Sequence, residues 1–245
     1  MKKRILPKKE LELILLKDFI SNKDLNLKVK AIIEGETPDF VIEESTKNIS
    51  VELTRLIHAD TIQKEAFQEK LVAIAQSLFK EKYDEELYVL VTFSGIPIKC
   101  STGEIKIYAD ELFKIVEEIY LPNRNHEFHV SSKFNRHINS YIDRISISND
   151  RDLENWQPFG AFRVNYIDIN WIKEVIRGKE KNLHKYSHNF KENWLLLVAN
   201  FGHESSAHRF DHLKPQQIET EFDNVYLYLY RDKEILQLKS LMSAI

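Results

Sequence analysis

Residues 35–56 read GETPDFVIEESTKNISVELTRL, and their alternation limits what the chain can fold into more than any other stretch. Apolar side chains recur at every second position on both sides of the polar run EESTKN, the period of a half-buried strand and not of a helix. Residues 40–42 and 49–53 are therefore predicted strands of one hairpin. A turn centred between Thr46 and Lys47, with a two- or four-residue loop, sets Phe40 against Leu53, Ile42 against Val51 and Asp39 against Thr54. Phe40, Ile42, Ile49, Val51 and Leu53 then share an apolar face, while Asp39, Val41, Glu52 and Thr54 share the other. Asp39 and Glu52 become diagonal neighbours, close enough for both carboxylates to reach one ion. A three-residue loop would change the register and break this arrangement.

Two carboxylates on one sheet face repel each other unless they are solvated, protonated or bridged by a cation. Hard oxygen ligands suit Mg²⁺, with Mn²⁺ as a substitute, because Mg²⁺ keeps several waters and takes one or two carboxylates. An ion so held polarises a phosphoryl oxygen and acidifies an attacking water. Acids on the wet face of an amphipathic hairpin are also ordinary, and the alternation alone requires no metal.

The rest of the chain predicts an α/β fold, a mixed central β-sheet flanked by helices. Residues 6–20 carry apolar side chains at helical spacing, and 27–33 alternate as a short strand. Residues 58–82 read as a long helix with Ile62, Phe67, Leu71, Ile74, Ala75 and Leu78 on one side. ELYVLVTF (86–93) and NWLLLVANF (193–201) are nearly continuous apolar runs, as expected of strands buried on both faces. Residues 110–120 and 170–186 look helical, with Gly178 a point of interruption. HEFHVSSKF and SYIDRISIS look like strands, and NVYLYLYRDKEILQL like a terminal hairpin turning over residues 231–233. The absence of a repeat, a low-complexity tract or a Pro/Gly/Ser linker favours one domain over 1–245, with residues 96–245 an elaboration that completes the sheet.

Composition excludes several classes. Only six glycines are present and no two are close enough for a phosphate-cradling or dinucleotide loop. The single Cys100 rules out an intramolecular disulfide framework and suits a reducing cytoplasm. A formal charge of −3 leaves any nucleic-acid contact to a local basic patch. The basic start lacks the apolar core and cleavage site of a signal peptide, and no run has the length of a membrane span, so no membrane partner is expected.

TPDF…ISVELTR resembles the core motif of the PD-(D/E)XK, or restriction-endonuclease-like, nuclease superfamily, in which a Pro-Asp opens one strand and an acid, a spacer and a lysine lie on the next. The likeness covers about the first 95 residues as an αβββαβ order: leading helix, hairpin, helix 58–82, strand 86–93. It implies a restriction-endonuclease-like core that hydrolyses phosphodiesters, with Asp39 and Glu52 as metal ligands and the Leu53 carbonyl as a third. A helix-borne glutamate often completes such sites; Glu10 and Glu12 are both candidates, with Glu36 a weaker one. The chain departs from the pattern at Thr54, where the lysine belongs. Thr54 donates a hydrogen bond but carries no charge, Arg55 should point to the opposite face, and Lys64 on the following helix could supply the ammonium, with Gln63 and Gln68 beside it for substrate contacts.

Residues 173–191 hold six Lys or Arg against two Glu. Arg177, Lys179, Lys181 and Lys185, with His184, His188, Tyr186 and Phe190 interleaved, could track a phosphate backbone and stack on bases, although such runs are commonly solvated helix faces. GHESSAHRFDH gathers His203, Glu204, His208, Asp211 and His212, but His203 and His208 are five apart where the zincin helix needs four, so a polar loop is the preferred reading. Trp156, Trp171 and Trp194 read as core or rim. The expectation is a Mg²⁺-dependent nuclease with Asp39, Glu52, Thr54 and Lys64 at its centre, acting on DNA ahead of RNA, with a homodimer left open. The alternative is a nucleic-acid-binding or protein-interaction module that keeps the scaffold without catalysis.

Overall fold

A computed structural model describes residues 7–94, 104–133, 141–151, 153–160, 164–186, 190–214 and 218–239. Cys100 and His188 lie outside the described residues. The fold is α/β, as the sequence predicts, and it falls into two compact units: residues to His58 together with those from Val164 onward, and Ala59–Arg163 between them.

The first unit is built on a six-stranded mixed sheet. Its strands are β1 (Val29–Glu34), β2 (Phe40–Glu44), β3 (Asn48–Arg55), β9 (Glu192–Ala199), β11 (Asn224–Leu229) and β12 (Glu234–Lys239), adjacent in that order. β1, β2 and β3 are antiparallel neighbours; β3, β9 and β11 run parallel; β12 returns antiparallel. β9 is central and buried on both faces, which accounts for its unbroken apolar run. Its alternate residues divide between two cores. Trp194, Leu196 and Val198 meet Leu15, Leu16 and Phe19 of helix α1 (Lys8–Ile20), together with Phe40, Val51 and Leu53. Leu195, Leu197 and Ala199 meet Ile172 and Ile176 of helix α4 (Ile169–Glu180), together with Leu56, Val225 and Leu227. One face of the sheet therefore belongs to α1 and the other to α4. α4 runs through Gly178 unbroken, and Asp168 caps its start by accepting from Asn170 N. Asp18 of α1 accepts from both Tyr228 and Lys233, tying that helix to the β11–β12 hairpin.

The second unit packs helices α2 (Ala59–Lys80) and α3 (Glu104–Tyr120) with a four-stranded sheet. That sheet orders β5 (His129–Lys133), β6 (Ile142–Ser148), β4 (Tyr88–Phe93) and β7 (Asn155–Pro158). Two sequence expectations change here. The buried face of α2 is Leu71, Val72, Ala75 and Phe79, whereas Ile62 is 43% exposed. β4 is buried at Val89 and Val91 but only half-buried at Leu90 and Thr92, so one of its faces is partly open. β4 also pairs with β6 and β7, not with β3, whose parallel neighbour is β9. Helix 58–82 and strand 86–93, expected to follow the hairpin in the core, thus belong to the second unit, and the first continues after β3 with Asn165–Tyr166, α4 and β9. A small parallel pair, β8 (Asn165–Tyr166) with β10 (His208–Arg209), completes the strands. Among the described residues no helix is long and apolar enough to cross a membrane.

Candidate active site

The hairpin forms with its faces as predicted and its register moved by two residues. Phe40 pairs with Val51, Ile42 with Ile49 and Glu43 with Asn48, so the turn is centred between Ser45 and Thr46. Glu44 N donates to Lys47 O at 2.9 Å and closes that turn. A shift of two preserves the alternation, so Phe40, Ile42, Ile49, Val51 and Leu53 remain on the α1 face. It changes the cross-strand partner of the acids. One step beyond the Phe40–Val51 pair, the same register sets Asp39 directly across from Glu52 instead of Thr54. Directly opposed residues have Cβ atoms about 5 Å apart, closer than a diagonal pair.

Glu52 is 5% exposed and lies on the α4 face. A buried carboxylate costs several kcal/mol unless it is paired and hydrogen-bonded. Both oxygens are satisfied here: Lys179 Nζ of α4 is 2.8 Å from Oε1, and the Tyr186 hydroxyl donates to Oε2 at 2.8 Å. Tyr186 lies after α4, beyond a short 3₁₀ turn at Leu183–Lys185, and is itself buried. Burial pushes its hydroxyl pKa far above the ordinary tyrosine value; the negative charge and hydrogen bond of Glu52, and more weakly the charge of Asp39, push it the same way. Tyr186 is thus a fixed donor that senses both carboxylates.

Asp39 is half-buried and accepts from the backbone N–H of Leu53 through Oδ2 at 2.9 Å. Lys9 Nζ, from the first turn of α1, is 3.6 Å from Oδ1 and donates to Gly35 O at 2.6 Å. The turn before Asp39 is tight: Gly35 N donates to Asp39 O at 3.0 Å, and a Cβ on Gly35 would sit 2.7 Å from the Pro38 carbonyl oxygen. Only glycine lets the chain fold back that closely, which sets where the aspartate emerges.

The remaining sequence-predicted residues are not all gathered here. Thr54 follows Glu52 on the α4 face, with a buried Oγ1 that has no hydrogen-bond partner among the described residues. Glu10 is exposed. Glu12 is buried on α1, the helix on the opposite sheet face from Glu52, and pairs with Lys8 at 3.5 Å. Lys64 and Gln63 belong to α2, in the other unit. Of the basic stretch, Lys179 points to Glu52; Arg177, Lys181 and Lys185 are exposed, with Lys185 donating to Asn182 at 2.9 Å. Lys179 as an ion-pair partner and Tyr186 as a hydrogen-bond donor to Glu52 are the two contributions that sequence reasoning missed. Their signal was the placement of a basic helix directly before the buried run 193–201.

Among the described residues no group of three or more His, Cys, Asp or Glu side chains assembles a metal site. The pair Asp39–Glu52 still fits a hard divalent cation, because each carboxylate retains free lone pairs and Mg²⁺ commonly fills its other positions with water. The histidine-rich segment disperses. His208 is 6% exposed and packs between His58 and Trp171, with ring centroids 4.8 and 5.4 Å away. Asp211 pairs with Arg209 at 3.0 Å, and His212 meets the Tyr166 ring edge to face. Burial, with a smaller contribution from His58, lowers the His208 pKa to about 4.

No family model, no curated protein and no solved structure matches the chain.

Proposed function

We propose that the chain is a Mg²⁺-dependent nuclease of restriction-endonuclease-like type that hydrolyses phosphodiester bonds of DNA in the cytoplasm. The observation that carries this reading is the nearness of Asp39 to Glu52, with Asp39 bonded to the N–H of the next residue, Leu53, and an ammonium delivered to Glu52 from α4. Asp39 and Glu52 would hold the ion, which supplies a polarised phosphoryl oxygen and a water of lowered pKa. Lys179 provides the positive charge that Thr54 lacks, and an anionic phosphate at this site would compete with Glu52 for it. Tyr186, held protonated, keeps the Glu52 carboxylate oriented.

A second reading, a nucleic-acid-binding module without catalysis, is favoured by one observation: Glu52 has protein donors on both oxygens, and Asp39 accepts from Leu53 N and pairs with Lys9, so the hairpin needs no ion to stand. Cleavage of single- and double-stranded DNA with Mg²⁺, Mn²⁺ or EDTA, run beside Glu52→Ala, separates the two. Metal-dependent cleavage that the variant loses supports the nuclease. DNA binding equal in EDTA and Mg²⁺, with no cleavage, supports the binder. Neither cleavage nor binding of any DNA would end both readings for this substrate.

A further inference from the structure

A second feature of α4 lies away from Glu52. Lys173 and Arg177 are one turn apart, on one flank of the helix with Ile176 between them. Across from them the segment leading to β11 contributes Ile218 and Glu219, and the five residues line a cavity of about 330 Å³. Ile176 is 1% and Ile218 4% exposed, so they close the cavity from beneath without offering it much surface, and its wall is mainly polar, with the two cations and Glu219 upon it.

The charges of this cavity are uncommitted. Lys179 is taken by Glu52, and Glu180 by Thr220 and the Glu221 N–H. Among the described residues neither Lys173 nor Arg177 has a hydrogen-bond or ion-pair partner. Two unpaired cations one helical turn apart on a small polar cavity match a compact anion better than an extended polymer groove. Ligand pockets run from about 300 to 1,000 Å³, so this one is at the small end and takes one compact ligand.

We propose that this cavity binds one phosphate ester, a nucleoside monophosphate or the terminal nucleotide of a strand. Lys173 and Arg177 hold the phosphate, the second presenting a planar donor fork. Glu219 accepts from a ligand hydroxyl or amino group. The phosphate follows from the two cations; the nucleotide identity rests on the nuclease reading.

The test is calorimetric titration of the whole chain in EDTA, which leaves the Asp39–Glu52 pair without its ion. The ligands are inorganic phosphate, thymidine 5′-monophosphate and a short single-stranded oligonucleotide carrying a 5′-phosphate. The proteins are wild type, Lys173→Ala/Arg177→Ala, Lys181→Ala/Lys185→Ala and Glu52→Ala. Thymidine monophosphate should bind the wild type and weaken at least about tenfold in the first variant, about 1.4 kcal/mol. It should stay within about twofold in the other two. Monophosphate binding with the oligonucleotide excluded identifies a free nucleotide; equal binding identifies a strand end. Inorganic phosphate binding as tightly as the nucleotide would overturn the assignment of an ester, because Glu219 would then add nothing to the contact. An equal loss in Lys181→Ala/Lys185→Ala, or no binding by the wild type, would overturn the whole of it. DNA cleavage lost in Glu52→Ala while Lys173→Ala/Arg177→Ala binds nucleotide normally would leave the nuclease reading standing and this proposal refuted.

Discussion

Lys179 Nζ lies 2.8 Å from Glu52 Oε1, although 127 residues separate the two in sequence. β9 brings α4 and β3 together: its Leu195 and Leu197 pack with Ile172 and Ile176 of α4, while its backbone pairs with β3. On the proposed nuclease reading, Lys179 is the ammonium that Thr54 does not supply, carried by a helix that the sheet itself positions. Lys179→Met should lower kcat about 10²-fold or more, the size of loss seen when one preorganised charge donor is removed. Lys179 is 30% exposed, so water can replace part of the lost pairing and the stability cost should stay near 1–2 kcal/mol. Steady-state cleavage kinetics and thermal unfolding of the variant check both; unchanged kcat in a folded variant would remove Lys179 from the chemistry.

Tyr186→Phe deletes one donor and no charge. The buried Glu52 Oε2 loses its 2.8 Å hydrogen bond, which should cost about 1–3 kcal/mol of stability. If the hydroxyl orients the metal-binding carboxylate, half-saturation for Mg²⁺ should rise about tenfold or more, with a smaller effect on kcat at saturating metal. Because the hydroxyl pKa is pushed upward, Tyr186 stays protonated and produces no alkaline limb near its ordinary value. A Mg²⁺ titration of cleavage in both proteins reads the shift, and an unmoved midpoint would leave Tyr186 a packing residue.

The hairpin was legible because its period of two survives any even change of register; its turn centre was not, since EESTKN offers no glycine to pin it. Glu52 and Asp39 were therefore placed on the correct face with the wrong cross-strand partner. ELYVLVTF and NWLLLVANF look alike as apolar runs, yet β9 is buried on both faces and pairs with β3, whereas β4 is half-open on one face and joins the other sheet. Lys179 followed from that second pairing, which no local pattern encodes. The basic run around it read as a surface for phosphates because charge count carries no information about which lysine turns inward.

Gly35→Ala tests how far the turn before Asp39 sets the site. The added methyl would meet the Pro38 carbonyl oxygen at 2.7 Å, a backbone atom that cannot step aside without moving Asp39. Relief of that contact should strain the Gly35 N to Asp39 O hydrogen bond and the Lys9 contact together. A loss of about 1–3 kcal/mol is expected, with kcat/KM falling by about tenfold or more, whereas a variant that is destabilised but still fully folded would keep it. Activity measured well below the unfolding temperature separates displacement of Asp39 from partial unfolding; full activity there would mean that the turn adapts.

His208 gives the first unit an acid sensitivity that can be assigned to one side chain. Its ring is buried against His58, Trp171 and Phe210, and Nε2 has no hydrogen-bond partner among the described residues. The folded pKa is about 4, lowered first by burial and then by His58, against 6.5 when unfolded. Above pH 6.5 both states are neutral and the residue contributes no pH dependence. As pH falls from 6.5 towards 4 the unfolded chain takes up a proton that the folded one refuses, so stability declines by about 3 kcal/mol in total and then levels. His208→Phe keeps an aromatic ring among its neighbours and removes the titration. Urea unfolding followed by tryptophan fluorescence at neutral pH and at about pH 4.5 should show the wild type losing about 2–3 kcal/mol more than the variant over that interval. Equal losses would mean that carboxylates elsewhere, and not this imidazole, govern the response to acid.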